Sequence, residues 1–409
     1  MLDFAYTAKN NATGQNIKSN IQADTEKDAI EALKAQGLII LDLKQKSGII
    51  GQSKGSRTRI RAKDKVLFAR QLSTLMNAGL PLTQSLRNVA SQTGNKHFKS
   101  VINNIVISVE GGKSLSSAMS KYPTVFNQLT ISLIAAGESS GTLDKSLDRI
   151  AVQLEKDADI VSKIRGAMIY PIIVLLVMIG VVVFMLVKVL PQVNVLYQAF
   201  PGSSLPIETK ILLAISHFIT SFWWLLLIII VVGGFFLFRW LKTDGGKSFF
   251  DRLKLRTPPF SRLFQKVYMS RFSRTSSTLL GSGVPLLQIL KITADAVSNT
   301  LVRDSILKAA EKVKSGKALS DSLEGDANFL PLVPSMLRIG ETSGSVEQMM
   351  SKTADYYEKE VDDEIKNISA LIEPVMMVAL GLIALLIVAA VLLPVYGLAA
   401  SGAVSGGGV

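Results

Sequence analysis

Phe68-Ala-Arg-Gln-Leu-Ser-Thr-Leu-Met-Asn-Ala-Gly79-Leu-Pro81-Leu-Thr-Gln-Ser-Leu86 recurs as Phe272-Ser-Arg-Thr-Ser-Ser-Thr-Leu-Leu-Gly-Ser-Gly283-Val-Pro285-Leu-Leu-Gln-Ile-Leu290, at a constant offset of 204. Gly112-Lys113-Ser-Leu115-Ser116 returns at the same offset as Gly316-Lys317-Ala-Leu319-Ser320. After a slip of one residue the offset is 203, pairing Gly137-Glu138-Ser-Ser-Gly141 with Gly340-Glu341-Thr-Ser-Gly344, then Pro171 with Pro374 and Pro191 with Pro394. Self-similarity at one spacing over this length marks an internal duplication, and it decides the architecture before any single element is read.

Outward from the repeat lie three apolar runs. Tyr170–Val187 carries no charge, Ile211–Phe238 ends at Arg239, and Pro374–Ala400 is again uncharged. As a helix rising about 1.5 Å per residue the first crosses most of a hydrocarbon core of about 30 Å, and the second and third are long enough to span it with tilt. The first and third runs lie inside the duplication and the second is inserted between the copies. Each copy is therefore a helical domain followed by one span, and the inserted span returns the chain so that the second copy sits on the same side. Pro191 and Pro394 are expected to mark the far ends of their spans.

Charge sets the orientation. From Arg239 to Arg274 there are ten basic residues against Asp244 and Asp251, whereas the connection 191–210 carries only Glu208 and Lys210 and the tail from Tyr396 none. Short basic loops stay on the cytoplasmic side, so both copies are expected inside and the C-terminus outside. The net charge of +13 is thereby accounted for by membrane topology, and no direct nucleic-acid contact is expected. An apolar fraction of 48%, a charged fraction of 19% and a mean hydropathy of +0.34 speak against a wholly water-exposed globule. The absence of cysteine excludes disulfides, thiol nucleophiles and cysteine-ligated metals.

Within a copy the apolar spacing is helical. Val66, Leu67, Ala69, Leu72, Leu75 and Met76 form one stripe before Gly79 stops the helix, and Pro81 and Pro285 suit the first turn of the next. Further amphipathic stretches at Phe98–Val109, Leu115–Met119, Val125–Ala136 and Leu143–Arg165 bring the total to about six short helices. The last meets no strong breaker before Pro171, which predicts a rigid coupling of domain to span. Residues 1–43 read instead as a small α+β module, with short apolar segments at Phe4–Ala8 and Ile17–Ala23, a helix over Thr25–Gln36 and a strand over Leu38–Leu43. A Gly/Ser-containing linker, Gly48–Ser56, and basic Arg57, Arg59, Arg61, Lys63 and Lys65 follow; the basic run suits acidic lipid headgroups or RNA, with a solvated linker or lipid contact the favoured reading beside a membrane.

The expected fold is therefore mainly α. It comprises the module 1–43, a basic linker 44–63, helical domains at 64–165 and 268–370, transmembrane helices at 168–190, 211–238 and 374–396, external segments 191–210 and 397–409, and a basic cytoplasmic connector 239–267.

Chemistry is sparse. Gly112-Lys113-Ser114 and Gly246-Lys247-Ser248 lack the upstream glycine of a phosphate loop, where Ile107 and Leu241 stand. His97 and His217 are isolated. No span carries an ionisable residue at its centre, since Lys188 and Glu373 sit near ends, so an ion path is disfavoured. No acid, base and nucleophile converge, and no catalytic residue, metal or cofactor is expected. Glu138, Gly141, Glu341, Gly344, Arg70 and Arg274 are the candidate partner-interface or turn residues. For the two glutamates a capping turn that satisfies backbone amides stands beside a partner contact or cation site at the cytoplasmic face.

The repeated Phe-x-Arg-x-x-x-x-Leu-x-x-x-Gly-x-Pro-Leu, the Gly-Glu-x-x-Gly turn present twice, and Phe4, Gly14, Ala23, Asp24, Ala29 and Gly37 in the module resemble the type II secretion F / type IV pilus platform family over nearly the whole chain. That resemblance implies a homo-oligomeric inner-membrane scaffold. It would couple a cytoplasmic hexameric assembly ATPase to insertion or extraction of pilin or pseudopilin subunits, beside other inner-membrane assembly proteins and membrane lipids. It further implies that residues 64–165 and 268–370 face the motor while the spans meet the pilin helix. The reading from another class is a transporter or channel subunit, since paired membrane repeats are common there.

Overall fold

A computed structural model describes residues 2–10, 16–23, 30, 38–45, 59–192, 195, 207–258 and 260–405. Two compact units divide at Arg59 and Ile60. In the first, β1 (Leu2–Asn10), β2 (Asn16–Ala23) and β3 (Leu38–Gln45) form an antiparallel sheet in the order β2-β1-β3. Phe4 pairs with Ile21 and Gln45, and a register shift falls between Thr7 and Ala8. Of the helix expected over Thr25–Gln36 only Ile30 is described, and it is helical. The linker Gly48–Ser56 lies outside the described residues.

The second unit is helical throughout its described residues. The first copy contains α1 (Ala62–Asn77), α2 (Leu82–Gln92), α3 (Lys96–Glu110), α4 (Leu115–Met119), α5 (Gln128–Ser140) and α6 (Leu143–Phe184), the last closed by a π turn at Met185–Val189. The inserted segment contains α7 (Ile207–Ser221), α8 (Trp223–Trp240) and α9 (Asp244–Arg256). The second copy repeats the first as α10 (Phe260–Leu280), α11 (Leu286–Ala296), α12 (Thr300–Lys314), α13 (Leu319–Leu323), α14 (Leu332–Ser343) and α15 (Val346–Ser405).

Local chemistry explains most of these boundaries. Gly79 adopts φ 82° and Gly283 φ 74°, and the amides of Leu80 and Val284 return to the carbonyls of Leu75 and Leu279 at 3.1 and 3.2 Å. This wrapped, left-handed stop suits glycine because L side chains rarely adopt a positive φ. Pro81 and Pro285 take the cap position one residue before the helix, with ψ of 144° and 139°, and their carbonyls accept from Ser85 and Ile289. The stretch read as a helix from Val125 starts only at Gln128. Asn127 caps it by accepting from the Thr130 amide at 2.9 Å, so Val125 and Phe126 are buried loop residues.

Each copy has its own core. The first gathers Phe68, Leu72, Leu86, Phe98, Ile102, Leu115 and Phe126, and it also takes Leu279, Ile289 and Ile292 from the second copy. The second gathers Phe272, Val302, Ile306, Leu319, Phe329 and Met350. A third apolar cluster, Ile160, Leu263, Val267, Val361 and Ile368, binds α6, α10 and α15 together. The stripe on α1 is narrower than its sequence suggests, because Leu67 is 51% exposed while Phe68 beside it is buried.

Three helices are long and apolar enough to cross a membrane: α6 with its continuation to Gln192, α8, and α15. At about 1.5 Å per residue α6 is about 63 Å long and α15 about 90 Å, so each extends well beyond a bilayer into its own domain. The chain does not stop at the expected prolines. Pro171 and Pro374 lie inside helices, Pro394 is passed within α15, which runs to Ser405 into the expected tail, and Pro191 is helical. A proline ring conflicts with the carbonyl four residues back; for Pro191 that is Val187, inside the π turn, whose wider winding relieves the conflict. The second apolar run is two helices meeting at Phe222, with φ −114° and ψ 21°. Thr220 donates back to the Ser216 carbonyl at 2.9 Å, a bond that bends helices.

Candidate functional site

The Gly-Glu-x-x-Gly turn is built identically twice. Glu138, near the end of α5, accepts from the Leu115 amide, from the Ser116 amide at 3.2 Å and from the Ser116 hydroxyl. Glu341, near the end of α14, accepts from the Leu319 amide at 2.7 Å, the Ser320 amide at 3.3 Å and the Ser320 hydroxyl. Each carboxylate therefore covers the first amides of a five-residue helix in its own copy, where unpaired donors and the positive end of the helix dipole favour an anion. Gly141 and Gly344 end the helices at φ 71° and 68°, and the next amides, Thr142 and Ser345, return to Gly137 and Gly340, each at 2.9 Å. The leading glycines have a separate reason. A Cβ on Gly137 would stand 2.4 Å from Ser146 Oγ, and one on Gly340 would stand 2.7 Å from the Val346 Cα. Among the described residues no three His, Asp or Glu side chains converge to hold a metal ion.

Arg70 and Arg274 of the Phe-x-Arg motif reach the helices that enter the membrane. Arg70 grips Glu155 on α6 through Nε at 2.7 Å and Nη2, and Asp148 through Nη1 at 2.9 Å. Arg274 grips Glu358 on α15 through Nε at 2.8 Å, and Asp355 through Nη2. Glu155 and Glu358 are equivalent at offset 203, so this too is one device used twice. The hydrogen bond from Arg70 holds the Glu155 carboxyl below its ordinary value and, reciprocally, raises the guanidinium. Burial opposes the charge on Arg274, but the bonds to Glu358 and Asp355 prevail and raise it.

Between the two copies runs a seam of charge. Lys156 and Lys163 of α6 reach Glu358 and Asp362 of α15 at 2.9 and 2.8 Å. Arg149 of α6 donates across the seam to Ser282 at 2.7 Å, while within the second copy Lys266 of α10 reaches Glu360 and Glu364 of α15 at 2.9 and 2.7 Å. Hydrogen bonds to Asp159 and Asp362 raise the Lys163 ammonium. Asp157 faces Arg271 at 3.7 Å; although its edge touches solvent, the crowding of protein around it pushes its carboxyl up against the pull of that arginine. A polar cleft of about 250 Å³ opens between Lys156, Asp159, Glu358 and Lys359. The helices tied by the seam are the two that continue unbroken into spans.

Sequence reading singled out the glutamates, glycines and arginines but missed the seam. Its signal was available as Glu155-Lys156-Asp157-x-Asp159 aligned with Glu358-Lys359-Glu360-x-Asp362, yet which helix faces which is a tertiary fact. The other motifs resolve locally. Ser114 caps α4 by accepting from Ser117 at 3.2 Å, and Gly246-Lys247-Ser248 lies in the first turns of α9. His97 is in the first turn of α3 and His217 lies within α7.

Residues 68–191 and 272–394 match the family model of type II secretion system protein F, and residues 1–44 match that of its N-terminal domain. Both long matches begin at the Phe-x-Arg motif and end at the second proline pair. The chain belongs to the type II secretion system protein F family. It is 37% identical to the type IV pilus assembly protein PilC of Thermus thermophilus over 96% of this chain and 97% of that one. It is 35% identical to the protein of the same name from Pseudomonas aeruginosa, covering 89% of this chain and 96% of that one. It is 32% identical to the type II secretion system protein F of the same organism, covering 97% and 99%. A transporter or channel subunit is not favoured by relatives with these names.

Proposed function

We propose that the chain is the inner-membrane platform of a type IV pilus or type II secretion machine, passing a stroke from a cytoplasmic hexameric ATPase to pilin or pseudopilin subunits. The observation that carries this reading is the continuity of α6 and α15, each a single helix from its domain into an apolar span. The seam of Lys156–Glu358 and Lys163–Asp362 supports it, because a tilt imposed on one domain is shared by both helices before they enter the bilayer. In this proposal the basic flanks place the N-terminus and both copies inside and the C-terminus outside. Glu138 and Glu341 hold the domain surface in shape, Arg70 and Arg274 transmit load from α1 and α10 to α6 and α15, and the platform works as a homo-oligomer.

The test is cross-linked co-purification of the tagged chain from its native membrane, with partners identified by mass spectrometry. Recovery of a hexameric ATPase and pilin-like proteins is expected. Intact oligomers that bring down neither would overturn the platform reading. Because the chain lacks cysteine, single thiols at Ser91, Ser203 and Ser405 test the orientation: Ser203 and Ser405 react from outside, and reaction at Ser91 alone reverses it.

A further inference from the structure

Helix α9 is an amphipathic helix that the duplication does not supply, and its outer face is exposed. Phe249 is 54% exposed and Leu253 45%, with exposed Arg252 and Arg256 on the same face at helical spacing. This face is continuous with the end of a span. Trp240 closes α8, is itself exposed, and its ring lies 5.6 Å from that of Phe249. Lys242, in the three-residue elbow between the helices, sits 4.4 Å over the Phe238 ring. The elbow is tight: Thr243 caps α9 by accepting from the Gly246 amide at 3.2 Å, and a Cβ on Gly246 would fall 2.1 Å from the Trp240 carbonyl oxygen. The glycine of the Gly-Lys-Ser run therefore serves to fold α9 back against the mouth of α8.

The opposite face of α9 is fixed to the second copy. Asp251 is buried and accepts from the Thr300 amide at the start of α12 at 3.0 Å. Lys254 pairs with Asp251 at 3.1 Å, and Leu255 packs against the second core. With that face anchored, Phe249 and Leu253 must point away from the protein. A helix that leaves a span, turns aromatic and aliphatic side chains outward and flanks them with arginine has the make-up of an interfacial helix.

We infer that α9 lies on the acidic lipid surface of the bilayer, with Phe249, Leu253 and Trp240 among the headgroups and Arg252 and Arg256 against lipid phosphates. The occupant is lipid because the apolar face runs on from the lipid-facing surface of α8 through Trp240, and because the flanking charge is basic. The consequence is a second membrane attachment for the second copy, through Asp251. This goes beyond the platform reading and rests only on α8 being a span.

Single cysteines replace Phe249, Leu253, Ile230 and Leu287 in the full cysteine-free chain, each spin-labelled and reconstituted in phosphatidylcholine vesicles with and without phosphatidylglycerol. Accessibility to oxygen and to a water-soluble nickel chelate is then measured. Labels at 249 and 253 are expected to favour oxygen over the chelate several-fold more than the label at 287. Phosphatidylglycerol should deepen them, and Arg252→Glu with Arg256→Glu should abolish that deepening. Ready access of the chelate at 249 and 253, with Ile230 still in lipid, would overturn the inference, as would shielding of both sites from oxygen and chelate alike by protein. Water exposure at Ile230 would instead remove α8 as a span, and the inference with it.

Discussion

The two copies of the helical domain agree in their turns and differ in their cores and where they meet each other. At one core position the first copy holds Phe98, packed 5.4 Å from Phe68 and 6.4 Å from Phe126, whereas the second holds Val302 and its remaining rings, Phe272 and Phe329, close to 5.1 Å. On α11 the second copy presents Ile289 and Ile292 to the first core, while Ser85 and Asn88 stand at the matching positions of α2. Arg274 is 15% exposed and Arg70 38%. Duplication preserved the turns; divergence fell on a core position inside each copy and on the face of α11 that the second copy offers the first.

Six substitutions and one titration sharpen that contrast, with local stability read by hydrogen exchange in the purified full chain. The largest effect belongs to the core. Phe98→Ala is expected to cost about 3–5 kcal/mol and to lower protection across α3, whereas Val302→Ala, which removes about two methyl groups, should cost about 2 kcal/mol in α12. Equal losses would mean that the two cores are packed alike despite their different rings.

Next comes Arg274→Ala, at about 2 kcal/mol, because it leaves Glu358 half-compensated in a largely buried setting. Lys156 remains as its partner. The loss should be seen as faster exchange where α10 faces α15. Glu138→Ala and Glu341→Ala should each cost about 1–2 kcal/mol by uncapping α4 or α13, and the two should match, since the geometry does. A gross loss of assembly from either, with exchange unchanged, would assign the carboxylate to a partner instead.

Arg70→Ala should cost under about 1 kcal/mol, because its pairs are exposed and screened. The same pair gives the smallest effect on titration. Since Arg70 holds the Glu155 carboxyl below its ordinary value, its contribution is complete above the usual glutamate pKa of about 4.3. It is lost as pH falls through the lowered value. Exchange at α1 should accelerate in that acid window in the native protein and not in Arg70→Ala.

Much of the fold was legible because its signals are local or self-referential. The duplication appears as offsets of 204 and 203, the spans as uncharged runs, and the turn glycines at 79, 141, 283 and 344 as stops for amphipathic stretches. Prolines misled, since Pro191 and Pro394 read as ends although a helix in an apolar setting can carry them, and the bend at Phe222 was hidden because the hydropathy does not change there. Glu138 and Glu341 were visible as a motif, and satisfying backbone amides was one of the two uses read for them; which amides they cover was not visible, because these lie more than twenty residues upstream.

The sequence by itself determined the number of copies, the apolar helices, the local turns and the family, since each of these is written in spacing or composition. Only the tertiary structure decided that Ile289 and Ile292 enter the first core, that Lys156 and Lys163 meet Glu358 and Asp362, and that Asp251 turns Phe249 outward. These are pairings between segments far apart in the chain, and they depend on the rotation and approach of whole helices, which no local pattern encodes.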